Sequence, residues 1–456
     1  MNWYHISLLL CFFGFLKEIR PSEPFISDYM QLPYRNVTSE ELNRYVYPVA
    51  TYSNLVLSVI VLLITDLLRY KPIIILNGIC GIVTWSLLLW TKSFHSAQLT
   101  QVSYSLYVAC EVAYFAYIYA KVPKEHFLAV SSHTRAALLM GRFISGILSQ
   151  LFLYFNLMDI HTLNYFTLGA QIAATSITVF LPSVRQSIYF YREKTSSDEI
   201  IQESHSNYKC HLSDSQSVEC DKCQQAFTLM WKQLKCAYSN RQIVLWSVWY
   251  ACGMCAFVQF FSYVQLVWIE IDNRPEVMWN GAIEAVATLF SAAIALLASR
   301  LHVNYINTKF KIQLVLFALS MSASGAIFVA SNAPNRFLSY VSYILFCMFY
   351  NFTITISSAE IAKELPDDSY GLIFGVNTFF AYCLQSILVA IVATDTFELK
   401  LSIIQQMNVY GGFLAIVGCL YALLMVISSL PSSNETNTKK SDLNRNSVVD
   451  ENYVTI

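Results

Sequence analysis

The chain has 456 residues, 55% of them hydrophobic and only 13% charged, with a formal net charge of −1. Soluble proteins carry about twice that charged share, so a water-soluble globule is excluded, and the near-neutral balance gives no electrostatic basis for binding nucleic acid. A mean hydropathy of +0.46 and an abundance of aromatics, 29 Tyr, 30 Phe and 8 Trp, fit a chain whose rings sit at membrane interfaces and line polar cavities.

Windows of roughly 17–25 apolar residues are long enough to cross a bilayer as helices. In chain order they fall at 6–30, 45–65, 72–91, 98–120, 134–156, 162–182, 243–268, 279–299, 311–331, 336–360, 371–394 and 404–430. The pattern predicts an all-α membrane protein of about twelve transmembrane helices. The first window is the least regular. Its apolar part, Ile6 to Leu16, is short enough for a secretory leader, but neither a basic start nor a small-residue cleavage site accompanies it. We therefore extend it through KEIRPSEPF, as a span with a polar, kinked second half.

Six spans, a polar stretch, six more spans and a tail form the layout of a major-facilitator transporter, in which two pseudo-symmetric halves pack around a site at the midplane. The expected divisions are a first half at 1–182, a linker at 183–241, a second half at 242–430 and a tail at 431–456 of disordered composition. Within the linker, QQAFTLMWKQLKCAY at 224–238 is amphipathic and suits a short helix on the membrane surface. Lys and Arg cluster at 69–71, 121–135, 183–241, 300–311 and in the tail, which are alternate loops. The positive-inside rule then places both termini and the linker in the cytoplasm, as expected of a multi-pass plasma-membrane protein. Of the twelve Cys, eight lie in spans as small apolar residues; Cys210, Cys220, Cys223 and Cys236 lie in the linker. Cys220-Asp-Lys-Cys223 has zinc-like spacing, but the outer pair is irregular, and we assign no metal.

Polar residues inside the spans carry the functional signal, because ionisable groups at bilayer depth are expensive to hold and usually face a working cavity. Arg20, Pro21, Ser22, Glu23 and Pro24 place both charge signs between two prolines, which predicts a broken helix lining a cavity. Arg20 then pairs with an acid and leaves Glu23 for ligand or proton; the alternative is plain loop outside the membrane. Thr84 and Trp85 interrupt the third span. Glu111 sits mid-way in an apolar, tyrosine-rich run, and Tyr104, Tyr107, Glu111, Tyr114 and Ile118 share one helix face. A carboxylate among rings suits an organic cation; the alternative is a protonated Glu bonding a neighbouring helix. Arg142 in the fifth span either pairs with an acid or snorkels. Tyr263 and Gln265 add polar groups in the seventh span, Asn280, Glu284 and Thr288 line one face of the eighth, and Asn377 and Gln385 lie in the eleventh. Asp66 and Arg69, in TDLLRYKP after the second span, suit a charge-paired conformational latch; the alternative is a simple turn.

The chain carries no Walker loop, no dinucleotide fingerprint, no HExxH and no GxSxG. Neither an enzyme nor an ATP-driven pump is indicated, and no cofactor is called for.

RPSEPF at 20–25, the NVT sequon at 36–38, TYS at 51–53, TDLLRYKP at 65–72, CEVAYFAYIYA at 110–120, WNGAIEAVAT at 279–288 and FGVNTFFA at 374–381 together resemble the reduced folate carrier and thiamine transporter family, solute carrier family 19. The resemblance implies a major-facilitator fold and facilitated uptake of a vitamin at the plasma membrane. It further implies that folate carriers have Arg at Glu111, Lys at Gln385 and Arg at Cys347, cations that a dianionic folate needs. This chain is similar to the thiamine transporters at Glu111, and Glu23, Thr84, Trp85, Tyr104, Asn280 and Glu284 match thiamine-type positions. It departs from them at Ala50, where they have Trp, at Gln101, where they have Glu, and at Arg142, where they have Tyr. The expected function is thiamine uptake by alternating access, with protons or another ion as the exchanged partner. The alternatives are a reduced folate carrier of the same family and a non-transporting membrane receptor or scaffold.

The derived orientation leaves Asn36 as the one sequon outside the membrane, since Asn351 lies within a span and Asn434 in the cytoplasmic tail. Asn36→Gln should abolish the glycan shift on a denaturing gel, and Asn434→Gln should leave it intact. A glycan on Asn434 would reverse the orientation.

Overall fold

Backbone N–H and C=O groups in hydrocarbon must be satisfied within the segment or its closed neighbours, and the described residues meet this with helices; no strand occurs among them. The structure is a computed structural model that describes residues 3–122, 126–184, 215–272, 278–305, 309–365, 369–394 and 401–429. The Cys210 and Asn434 readings fall outside these residues, as do the side chains of Asp66, Cys220 and Cys223.

The first half comprises α1 (Trp3–Lys17), the short α2 (Ile26–Gln31) and α3 (Ser39–Glu41), then α4 (Tyr47–Leu67), α5 (Lys71–Trp90), α6 (Phe94–Ala109), α7 (Glu111–Lys121), α8 (Phe127–Tyr154) and α9 (Ile160–Thr178). The linker helix α10 (Ser215–Ser239) leads into α11 (Arg241–Ile271), α12 (Asn280–Tyr305), α13 (Lys309–Ser331), α14 (Arg336–Lys363), α15 (Tyr370–Val392) and α16 (Ile403–Ser429). Nine helices among the described residues are long and apolar enough to cross a membrane. The remaining predicted spans are α1 with α2, α6 with α7, and α9. The first two are each broken within the span. In α9 the polar residues Asn164, Thr167, Gln171 and Thr178 are buried against neighbouring helices, which lowers its hydropathy without exposing it to lipid.

Local chemistry sets the helix starts. Thr38 and Glu41 form a reciprocal capping box, and the side chains of Ser93, Asp159, Asn240 and Asn335 accept the orphan N–H groups of α6, α9, α11 and α14. Each such cap stabilises its helix by about 1 kcal/mol. Two predictions need correction in detail. The window 98–120 is not one helix, because it breaks at Cys110 and leaves Glu111 as the first residue of α7. The linker helix begins at Ser215, nine residues before the predicted 224, because its polar first turns are also helix-compatible.

The halves meet where α8 packs on α12 and α4 packs on α15. One cluster of buried apolar residues contains members of both halves, including Tyr29, Tyr47 and Trp85 with Tyr263, Trp268 and Tyr340. The other two clusters each stay within one half, around Phe13, Tyr114 and Ile118 and around Trp246, Ile356 and Ile373. The shared cluster lies toward the end that carries the exposed Asn36, hereafter the sequon side, and the separate ones lie toward the linker. The halves thus share their apolar core on the sequon side, and nearer the linker Leu62 of α4 also meets Gly375 of α15.

Two glycines permit the halves to pack this closely. A Cβ at Gly281 would collide with Ser149 Oγ and lie 2.9 Å from the Gly146 carbonyl, and one at Gly146 would lie 2.6 Å from the Gly281 carbonyl. Gly281→Leu should therefore wedge α8 from α12 at a cost of ~1–3 kcal/mol. The expected readout is faster thiol labelling of a cysteine placed at Gln265; an unaltered labelling rate would show that this crossing does not hold the sequon side shut.

Candidate functional site

The site begins where α1 stops. Pro21 and Pro24 lack amide donors and cannot extend a helix, so residues 18–22 leave the helix and a single 3-10 turn follows at Glu23–Phe25. The freed backbone groups are bound by side chains from five helices. Lys17 O accepts from Tyr107 Oη at 3.2 Å and Gln171 Nε2 at 2.9 Å. The amides of Arg20 and Ser22 donate to Ser145 Oγ at 2.8 Å and Thr167 Oγ1 at 3.3 Å. From the second half, Gln265 accepts from the Ser27 amide at 3.0 Å and donates to Glu23 O at 3.1 Å, while Asn280 donates to Pro24 O at 3.1 Å. The predicted broken helix is present, with its backbone satisfied by both halves.

A chain of charges runs through this break. Arg20 donates to Glu18 Oε2 at 2.7 Å and to Glu23 Oε1 at 3.0 Å. Arg142 donates from Nε to the same Glu18 oxygen at 2.6 Å. Lys17 Nζ lies 3.2 Å from Glu111 and 3.8 Å from Glu18. Three bases thus face three acids. Glu18, Lys17 and Arg20 are buried, at 1%, 2% and 6% side-chain exposure, whereas Glu111, Glu23 and Arg142 are open at 25%, 24% and 48%. Breaking one buried pair would leave an uncompensated charge and cost ~3–5 kcal/mol, so the cluster holds together as a unit.

Aromatic rings line the same break. Trp85, Tyr104 and Tyr107 have mutual ring-centroid distances of 5.9–6.4 Å. Tyr104 Oη donates to Glu23 at 2.6 Å, and Trp85 Nε1 donates to Ser22 Oγ at 2.9 Å. Tyr107 is buried, and the cations over its ring are the protein's own, Lys17 at 5.3 Å and Arg20 at 5.7 Å. From the second half, Tyr343 donates to Glu284 at 3.0 Å.

The structure therefore gathers Glu23, Trp85, Tyr104, Tyr107, Glu111 and Arg142 with the Asn280 and Gln265 contacts around the break, and Glu284 lies one turn along α12 from Asn280. Other predicted residues lie elsewhere. Thr84 donates to its own helix at Cys80 O, 2.8 Å away, and its hydroxyl oxygen lies 3.0 Å from that of Ser103. Tyr114 is buried against Phe13 and donates to Leu10 O at 3.0 Å, tying α7 to α1. Tyr263 is buried between Tyr47 and Tyr410. Gln385 is buried and donates to Gln259 at 3.0 Å, and Asn377 holds Ser247 and Tyr238 on the linker side. Arg69 lies in a left-handed turn at φ 58° after α4. Lys17 and Glu18 escaped the sequence reading as site residues. Their signal was present in KEIRPSE, whose alternating charges directly follow an apolar run, but sequence spacing does not tell which distant base Glu18 meets.

A family model described as Reduced folate carrier matches residues 1–409. Folate transporter 1 of Caenorhabditis elegans is 32% identical over 456 residues, covering 100% of this chain and 99% of that protein. Thiamine transporter 2 of Homo sapiens is 32% identical over 451 residues, covering 92% and 90%. Among solved structures, a POT family transporter in complex with a thioalcohol conjugated peptide superposes with a TM-score of 0.61 at 12% identity, covering 93% and 96%. A D-xylose-proton symporter does so at 0.61 and 9% identity, covering 92% and 97%. At these identities the likeness to solved structures establishes the major-facilitator fold.

The Tyr104–Glu23 bond makes a direct prediction. Tyr104→Phe removes a hydroxyl that bonds a carboxylate and should lower the stability of the purified protein by ~1.5–3 kcal/mol, seen as a lower unfolding midpoint. A midpoint equal to the wild type's would mean that the hydroxyl does not serve Glu23.

Proposed function

The chain belongs to the reduced folate carrier family, and from that premise we propose that it takes up thiamine, an organic cation, by alternating access. It is a multi-pass membrane transporter of a family that carries vitamins, and its fold is of the major-facilitator type. The observation that carries the thiamine reading is the sign of the groups open to the cleft. Glu23, Glu111 and Glu284 are partly exposed carboxylates, the first two paired with the buried Arg20 and Lys17, against one exposed base, Arg142, which is itself held by Glu18. Lys17 and Arg20 add two bases to those expected to matter, but both are buried and paired. A thiazolium entering from the cleft would meet carboxylates and the ring of Tyr104. A folate would find Gln385 and Cys347, both buried and uncharged, where the folate carriers that the chain resembles have cations.

In this reading the halves 1–182 and 242–430 rock about the site, joined by the linker at 183–241. The sequon side faces outward and both termini are cytoplasmic. Asp66 and Arg69 form the cytoplasmic latch of the outward-open state. An exchanged proton loading a cleft carboxylate would couple uptake to pH.

A reduced folate is the second reading, favoured by the half-exposed Arg142 guanidinium and by the equal identity to relatives named for folate and for thiamine.

Radiolabelled uptake in cells expressing the protein separates the two. We expect saturable thiamine uptake that a reduced folate does not inhibit, and a rise with external pH. Glu111→Gln should reduce that uptake at least about tenfold, as expected for a lost charge-assisted contact, with surface expression unchanged. Folate uptake without thiamine uptake would overturn the reading.

A further inference from the structure

The third carboxylate of the cluster, Glu18, is too buried to reach a ligand, and the reading of Glu23 and Glu111 as ligand groups does not use it. Its position is nonetheless distinctive. One oxygen, Oε2, accepts from Arg20 at 2.7 Å and from Arg142 at 2.6 Å, while Lys17 stands 3.8 Å from the other. Three bases, from the end of α1, the break after it and α8, converge on a single acid. Of these, Arg142 is the most exposed, with 48% of its side chain open. Arg20 has a second acid in Glu23 and Lys17 has one in Glu111, whereas among the described residues the carboxylate paired with Arg142 is Glu18.

We propose that Glu18 is a specificity-determining residue that sets the charge selectivity of the transport site by cancelling Arg142. With Glu18 ionised, the three bases and three acids of the first half balance, and Glu284 from the second half tips the cleft toward cations. Without that carboxylate, Arg142 would present uncompensated charge to any ligand between the halves while Arg20 keeps Glu23, and the same scaffold would shift toward an anion. Glu18 acts through Arg142 and does not touch the ligand. The proposal deepens the transport reading of this site and rests on it.

The test compares a cation and an anion on the same protein. Thiamine and methotrexate binding to purified wild type, Glu18→Gln, Arg142→Gln and the double variant would be measured by ligand-induced thermal shift. Glu18→Gln should move the ratio of the two affinities toward methotrexate by on the order of ten- to a hundredfold, as one unit charge does over several ångströms at an effective dielectric near 20. Arg142→Gln should move it toward thiamine, and the double variant should return near the wild-type ratio. A merely structural Glu18 would lower stability in every state and leave the ratio alone. If Glu18→Gln does not fold, the Arg142→Gln arm still decides, because a ratio equal to the wild type's there overturns the proposal. If wild type prefers methotrexate, the thiamine reading falls, yet the same shifts between variants are required. Absence of methotrexate binding gained by a folded Glu18→Gln protein also overturns it.

Discussion

The site depends on the interruption of the first transmembrane helix. A helix that ran unbroken from Trp3 to Gln31 would spend its backbone groups on itself and leave nothing for its neighbours. Two prolines prevent this, and the exposed carbonyls and amides of residues 17–27 become the anchor points for Tyr107, Ser145, Thr167 and Gln171 from one half and for Gln265 and Asn280 from the other. The same break lets Lys17, Glu18, Arg20 and Glu23 project toward different helices within a few residues. A regular helix would spread those four side chains over its whole circumference.

This segment also explains how closure on the sequon side can be firm yet reversible. Four polar contacts join it to the second half there: the Ser27 amide and Glu23 carbonyl to Gln265, and the Pro24 carbonyl and Asp28 carboxylate to Asn280. At roughly 1 kcal/mol net apiece, their sum lies within the range that differential ligand affinity can overcome. The bonds to Ser145 and Thr167 stay within the first half, so the broken helix can keep its shape while the halves separate. The glycine crossing of α8 and α12 supplies the close approach that makes these side-chain contacts short enough to form.

The charge cluster shows why counting ionisable residues along a span misjudges a site. Arg142 alone in the fifth helix looks like a misplaced cation, and one of its two sequence readings was the correct one: it pairs with an acid. The aromatic face drawn on a helical wheel through Tyr104, Tyr107, Glu111 and Tyr114 divides in three dimensions. Tyr104 serves Glu23, Tyr107 carries the protein's own cations, and Tyr114 seals α7 against α1. Glu111, the first residue of α7 after Cys110, meets Lys17.

Hydropathy, span length and proline chemistry act over a few neighbouring residues, so the sequence by itself determined an all-helical membrane chain of about twelve spans, the break around Pro21 and Pro24 and the presence of acids within the spans. Family motifs lie in order along nearly all the spans, so the transporter class was legible as well. Which base each acid meets was decided only by tertiary structure. Glu18 and Arg142 are 124 residues apart, and their pairing depends on how α1 and α8 pack, which no local pattern encodes. The sign of the charge that the cleft presents follows from those pairings and from which partner stays exposed, and both are properties of the packed helices.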